Sequence, residues 1–373
     1  MSTELRFTVT YRVQGAADEI AARADAIRFE QTVEFPMDLT PERIIEASVG
    51  RVVEIAPAAA GGHRVVISYP SAIVGKELTQ FLNVVFGNTS IQPGVRVERF
   101  DLPPEMLVGC RGPRFGRQGL RTLLDAARRP LLCTALKPMG LSARELADQA
   151  RQFALGGIDI IKDDHGLADQ GFSPFGERVR ACATAVAEAN ARTGFRSVYV
   201  PNVTAPHDQV VDRAHLAKAY GAGGILISPG LTGFDAARRL ADDDQLALPM
   251  MSHPALLGSF TASPDNGISH YALYGQINRL AGIDAVVFPS WGGRFAFTRD
   301  ECLSIAAGTA EPLGTLAPIF PAPGGGMKRD RVVEMREAYG SDVIFLIGGD
   351  LHRPTADLAA NSRRFRDLVE SYI

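Results

Sequence analysis

The chain has 373 residues, 46% of them hydrophobic and 22% charged, with a formal net charge of −3. That composition is ordinary for a globular protein of two domains or of one large α/β barrel with additions. The near-neutral charge excludes any general attraction to nucleic acid or to an anionic membrane, so the expected partners are small molecules or a second copy of the chain.

The opening stretch "MSTELRFTVTYRVQG" alternates apolar and polar residues and has no apolar core of signal-peptide length. No run approaches the roughly 18–20 apolar residues that span a bilayer. Cys110, Cys133, Cys182 and Cys302 are far apart, without a CxxC pair or zinc-type spacing. A cytoplasmic protein with reduced thiols is the expectation.

Residues 5–14 predict a strand by period-2 alternation, and 17–29 a helix with Ile20, Ala24 and Ile27 on its apolar face. "RVVEIAP" and "HRVVISYP" predict two strands around a glycine turn, followed by a helix at 76–86 and a strand at 95–100. This is an N-terminal α+β unit, taken as residues 1–118, with "GPRFGRQGL" at 112–120 as connector. From residue 130 the pattern becomes regular. Short apolar runs at 131–136, 158–161, 197–200, 224–227, 248–251, 285–288, 316–320 and 343–347 alternate with helical stretches. One of these helices is announced by a capping box, Ser142 with Glu145. Eight βα repeats predict a (β/α)8 barrel over 119–373; a doubly wound open sheet is the alternative.

In either architecture reactive groups gather at the carboxyl ends of the strands. Those ends carry Lys137, then Lys162, Asp163, Asp164 and His165, then Asn202, His253, "APGGGMK" and "GGDLHR". A single charged residue at a strand end is usually just solvated, but a whole ring of them points to one lined pocket. Gly324 and Gly325, and Gly348 and Gly349, follow the seventh and eighth runs. Glycine lets consecutive backbone N–H groups approach one anion, and barrels commonly bind phosphate there. A lysine with a neutral amine can add CO2 and become a carbamate, an oxygen ligand. Lys162 in that form, with Asp164 and His165, makes a site for one divalent cation, Mg²⁺ or, because of the imidazole, Mn²⁺. The alternative for Lys162 is a surface ion pair with Asp163.

These motifs resemble the ribulose bisphosphate carboxylase (RuBisCO) large-chain family. "GGIDIIKDDHG" is similar to the family's "GG-D-KDDE" segment, and "RPLLCTALKPMGLS", "VPNVTA", "MSHPA" and the two glycine loops follow in the family's order. The resemblance implies a ferredoxin-like N-terminal domain, a (β/α)8 barrel and a homodimer with shared sites. It implies that Lys162 is the carbamylated metal ligand, Asp164 the second ligand, and His165 a replacement for a glutamate ligand. Lys137 matches the lysine of proton transfer and His253 the histidine after the fifth strand. Glu30 and Asn88, with Asn83 as the alternative for the latter, match residues that reach the partner's site. The four glycines match the family's phosphate loops, while Asn202 at the third strand end and Arg353, where the family has a different continuation, are the further candidate substrate contacts.

Departures from the family are equally specific. Met139 stands where a second lysine is usual, Pro254 where an arginine is usual, and "PSWGGRFAF" lacks the mobile lysine of carboxylases. The chain therefore resembles the non-carboxylating, RuBisCO-like branch. That branch implies metal-assisted enolisation of a phosphorylated keto sugar such as 5-methylthioribulose 1-phosphate, by an isomerase or tautomerase. A decarboxylase of a 3-oxo sugar-acid phosphate is the alternative, with Arg353 as a carboxylate partner. A binding protein that kept the barrel is the third reading, supported by the lost glutamate ligand.

Overall fold

The computed structural model describes residues 5–371. The N-terminal unit contains strands β1 (Arg6–Val13), β2 (Arg51–Pro57), β3 (His63–Pro70) and β4 (Val95–Asp101), with its main helices at Ile20–Glu30 and Leu78–Phe86. The antiparallel order β4-β1-β3-β2 is the ferredoxin-like arrangement. Alternation explains the core: Phe7, Val9, Tyr11 and Val13 face the helices and meet Phe81, Val84 and Val85. Thr10 and Arg12 point the other way and are buried as well, because a barrel loop lies over them. Arg12 pairs with Asp265 at 3.2 Å and bonds the Pro264 carbonyl.

The barrel strands are β5 (Leu131–Leu136), β6 (Ile160–Asp163), β7 (Val198–Val200), β8 (Ile225–Ile227) and β9 (Met250–Ser252). After the two-residue β10 (Gly267–Ile268) come β11 (Ala285–Pro289), β12 (Phe320–Gly324) and β13 (Ile344–Leu346). β10 is not a barrel strand. It pairs with β4 and so extends the N-terminal sheet with a piece of the barrel. The other eight run parallel around the barrel, β7 and β8 being joined through the bridge of Asn202 to Leu226. Leu131, Cys133, Ile160, Val200, Leu226, Met251, Val287 and Ala322 fill its interior.

Three expectations need correction. The segment at 112–120 is not merely a connector: Gly116–Leu124 is a helix, and Leu120 and Leu124 plug the barrel floor. Its first N–H groups bind the buried Asp284 carboxylate, which accepts from Phe115 at 2.8 Å and Gly116 at 2.7 Å. A boundary at 118/119 falls inside this helix. The seventh strand lies at Phe320–Gly324 rather than 316–320, although it contains Pro321 and Pro323. Alternate residues of β12 face β11, where the Phe320 N–H finds the Asp284 carbonyl at 2.9 Å. The prolines fall on the other side, where no ladder to β13 forms, so no donor is missed. The second strand runs two residues further than 158–161 and includes Lys162 and Asp163.

Candidate active site

The extension of β6 decides where its charges go. Successive side chains of a strand face opposite sides, so Lys162 follows Ile160 into the barrel mouth while Asp163 faces the helix layer. Asp163 is therefore not a pocket group. Its side chain and that of Arg178 are 0% exposed, and the Arg178 Nε donates to Oδ2 at 3.1 Å. The Tyr199 hydroxyl donates to Oδ1 at 2.6 Å, and the Asn202 N–H to Oδ2 at 3.1 Å. Asp163 thus locks the end of β6 against its neighbours.

Lys162 is 3% exposed, which excludes a surface ion pair. Its Nζ donates to the Asp163 carbonyl at 2.9 Å. Burial lowers its pKa, favouring the neutral amine. Asp164 accepts from Lys137 Nζ at 2.5 Å, and His165 Nδ1 lies 3.4 Å from the same oxygen. Burial alone would raise the Asp164 pKa, but the hydrogen bonds from His165 and Lys137 hold it well below the carboxylate range. The His165 and His253 rings stack at 4.1 Å with 8° between planes. Burial first, then the neighbouring Lys162 and His165, push the His253 pKa down to about 2. The Ala255 N–H donates to His253 Nδ1 at 3.2 Å, so the proton of the neutral ring is on Nε2.

Lys137, Lys162, Asp164, His165 and His253 line one cavity of about 1320 Å³, together with Gly324, Gly325, Gly348, Gly349 and Arg353. Gly325 has φ +73°, and a Cβ there would lie 3.0 Å from the Phe295 ring. At Gly348 and Gly349 a Cβ would meet nothing within 4 Å. Their bareness therefore leaves space open to the cavity rather than relieving a packing clash. Such exposed backbone, with Lys328 and Arg353 following the two loops, is suited to an anion.

Two groups of expected residues lie elsewhere. Asn202 is 1% exposed, does not line the cavity, and donates to the carbonyls of His165 at 3.0 Å and Leu167 at 2.9 Å. It shapes the loop that carries His165. Glu30 and Asn88 are joined by a 2.9 Å hydrogen bond on the exposed surface of the N-terminal unit and do not line their own chain's cavity. Leu256, His270, Tyr274, Phe297 and Lys328 line the cavity and were missed from the sequence. Leu256 and Phe297 are apolar loop residues without a periodic signal, His270 and Tyr274 belong to a helical stretch, and only Lys328, directly after the glycines and Met327, has a visible one.

Among the described residues no three His, Cys, Asp or Glu side chains converge as a metal-binding group. Asp164 and His165 form a partial set, which fits a divalent cation once the buried Lys162 amine supplies a third ligand as a carbamate. Lys137 holds Asp164 in the arrangement seen here.

Sequence comparison agrees with the architecture. Residues 116–371 match the catalytic domain of the ribulose bisphosphate carboxylase large chain. The chain is 40% identical over 373 residues to the "Ribulose bisphosphate carboxylase-like protein 1" of Rhodopseudomonas palustris, covering 100% of both. A Rubisco-like protein from the same organism has a solved structure that superposes with a TM-score of 0.90 at 39% identity, covering 99% of each chain. The "5-methylthioribulose-1-phosphate isomerase" of Rhodospirillum rubrum is 40% identical over 348 residues, 93% of this chain and 91% of that one. The "2,3-diketo-5-methylthiopentyl-1-phosphate enolase" of Bacillus licheniformis is 30% identical over 371 residues, 98% of this chain and 91% of that one. The chain belongs to the RuBisCO large-chain family, and these relatives carry RuBisCO-like, isomerase and enolase names.

Proposed function

We propose that this protein is a RuBisCO-like enzyme that enolises a phosphorylated keto sugar, as an isomerase or tautomerase, and does not fix CO2. The observation that carries the reading is the convergence of two lysines, Asp164 and two stacked histidines on a cavity whose rim includes two bare glycine loops. Lys162 as a carbamate, Asp164 and His165 would hold Mg²⁺ or Mn²⁺. A cation there supplies polarisation of the ketone and stabilisation of the enediolate. Gly324, Gly325, Gly348 and Gly349 bind the phosphate and fix the sugar relative to the lysines. With Asp164 turned to the cation, Lys137 Nζ, as a free amine, takes the α-proton and returns it, and the neutral His253 donates from Nε2 to a substrate oxygen. Met139 and Pro254, in place of basic residues, argue against carboxylation.

The identity of 40% to a protein named for 5-methylthioribulose 1-phosphate supports that substrate or a close analogue. The test is NMR of this ketose phosphate in D2O with Mg²⁺ and bicarbonate. Exchange of the α-proton with isomerisation supports the reading; no exchange in a carbamylated, metal-loaded enzyme rejects it. Arg353 at the cavity wall favours a second reading, decarboxylation of a 3-oxo sugar-acid phosphate, for which release of CO2 is the readout. The protein is further proposed to act as a homodimer in which Glu30 and Asn88 complete the partner's site.

A further inference from the structure

Across the cavity from the first and second barrel strands stands a polar pair that the enolisation chemistry leaves unused. His270, from the segment after β10, and Glu301, from the helix Arg299–Ala310, both line the wall. The imidazole is only 4% exposed, yet among the described residues it has no hydrogen-bond partner. The nearest carboxylate oxygen, Glu301 Oε1, lies 3.8 Å from Nδ1, beyond hydrogen-bond reach. A buried polar group without a partner is costly, and rare where nothing binds. Glu301 is fixed by its other oxygen: Oε2 accepts the Thr298 N–H at 2.8 Å in the capping box that opens its helix, which leaves Oε1 to His270.

His270 is held as firmly, by the N-terminal sheet. Gly267 and Ile268 pair with Arg96 and Val97 of β4, the Ser269 N–H donates to the Val97 carbonyl at 2.8 Å, and Arg96 bonds the Ser263 carbonyl. The His270 ring meets that of Phe297 edge to face at 4.5 Å. Burial lowers its pKa to about 4, so the ring is neutral and offers one donor and one acceptor. Phe297 and Leu256, the latter left-handed at φ +67°, add apolar surface to the same cavity. Arg294, on the Phe297 loop, also lines the cavity but is tied to the glycine side. Its N–H donates to the Gly325 carbonyl at 3.2 Å, and its guanidinium lies 5.1 Å from the centre of the Phe295 ring.

We infer that His270 and Glu301 together bind one hydroxyl of the substrate, and so determine which sugar phosphates the enzyme accepts. Nδ1–H donates to the hydroxyl oxygen and the hydroxyl proton goes to Glu301 Oε1, two hydrogen bonds of about 2.8 Å that bridge the gap. A group that only accepts would set its lone pairs against the carboxylate. A bare hydrogen would leave both protein groups unpaired, which is how a polar site rejects a deoxy compound. The inference rests on the enolisation reading and deepens it. With the C1 phosphate at the glycine loops and C2 and C3 at the cation, the C4 hydroxyl is the polar group left for this wall.

Polyol esters that cannot enolise test this without turnover. Ribitol 1-phosphate and its 4-deoxy and 5-deoxy analogues are titrated calorimetrically into the enzyme with Mg²⁺ and bicarbonate. The 4-deoxy ester should bind about tenfold more weakly than ribitol 1-phosphate, and the 5-deoxy ester within about twofold of it. His270→Phe, which keeps the ring contacts, should cut the 4-deoxy penalty to less than about threefold. Thermal melts check that this variant is folded, and His270→Leu carries the same expectation if it is not. Equal affinity of the native protein for ribitol 1-phosphate and the 4-deoxy ester overturns the inference and leaves the phosphate site standing. A tenfold penalty that survives loss of the imidazole overturns the assignment to His270. Absence of binding by every ester overturns the phosphate site and the inference together.

Discussion

Replacing Asp163 with alanine should destabilise the protein severely, although Asp163 touches neither the cavity nor any substrate. The Arg178 guanidinium it pairs with is fully buried, so the substitution leaves a cation without its counter-ion. Breaking a buried pair in this way costs about 3–5 kcal/mol. The lower half of that range applies, because Arg178 keeps the Ser173 and Ala168 carbonyls, both at 2.7 Å. Against that, the Tyr199 hydroxyl and the Asn202 N–H lose an acceptor, each worth about 1 kcal/mol. A loss of about 5 kcal/mol follows.

Asp163→Asn keeps an acceptor and removes only the charge, so about 2 kcal/mol is expected. Urea unfolding followed by fluorescence reads both values, provided the slope of the transition is unchanged. The double variant Asp163→Ala with Arg178→Met should recover at least about 2 kcal/mol relative to additivity, since no charge is then stranded. A loss below about 1 kcal/mol for Asp163→Ala, or simple additivity in the double variant, would refute the anchoring role.

Acid should weaken the fold through His270, whose lowered pKa means that the folded state resists protonation. Its contribution is intact above pH 6.5 and is lost as pH falls toward 4, about 2 kcal/mol by pH 5; His270→Phe should shrink the difference in urea midpoint between pH 7 and pH 5. Gly349→Val should raise the KM for a sugar phosphate at least tenfold with the melting temperature and metal affinity kept, because the added side chain enters open space; equal loss of metal binding would point to misfolding. Mixed dimers of Glu30→Gln and Lys162→Ala chains, each inactive alone, should regain part of the activity, and no recovery would count against shared sites.

Much of this site was legible because charges interrupt apolar runs at regular intervals, and a barrel collects strand ends in one place. Lys137, Lys162, Asp164, His165 and His253 came from that rule alone. Asp163 stands among them in the sequence because the apolar run ends at residue 161, before strand alternation reaches the charges. Once Lys162 is inside the strand, its neighbour has to face the helices. β12 was displaced because proline reads as a strand breaker, whereas on the unpaired side of a strand its missing N–H is harmless. Leu256 could not have been found. A left-handed leucine looks like any other in sequence, and only the backbone angle reveals that the chain holds it there under strain.

His165 offers the sharpest test of the metal proposal, because an imidazole in place of a carboxylate changes the charge of the site. Carbamate, carboxylate and imidazole present two negative charges to a dication, where two carboxylates and a carbamate present three. Mg²⁺ depends most on charge and oxygen ligands, while Mn²⁺ tolerates nitrogen. The native protein should therefore favour Mn²⁺ over Mg²⁺ more strongly than His165→Glu does, by about tenfold in the ratio of dissociation constants. Electron paramagnetic resonance of bound Mn²⁺, competed with Mg²⁺ in the presence of bicarbonate, reads that ratio directly and needs no substrate. Lys162→Ala supplies the control: with the carbamate ligand gone, binding should collapse for both ions. An unchanged ratio in His165→Glu, with Lys162 still required, would mean that the imidazole serves its stack with His253 and leaves the cation to Lys162 and Asp164.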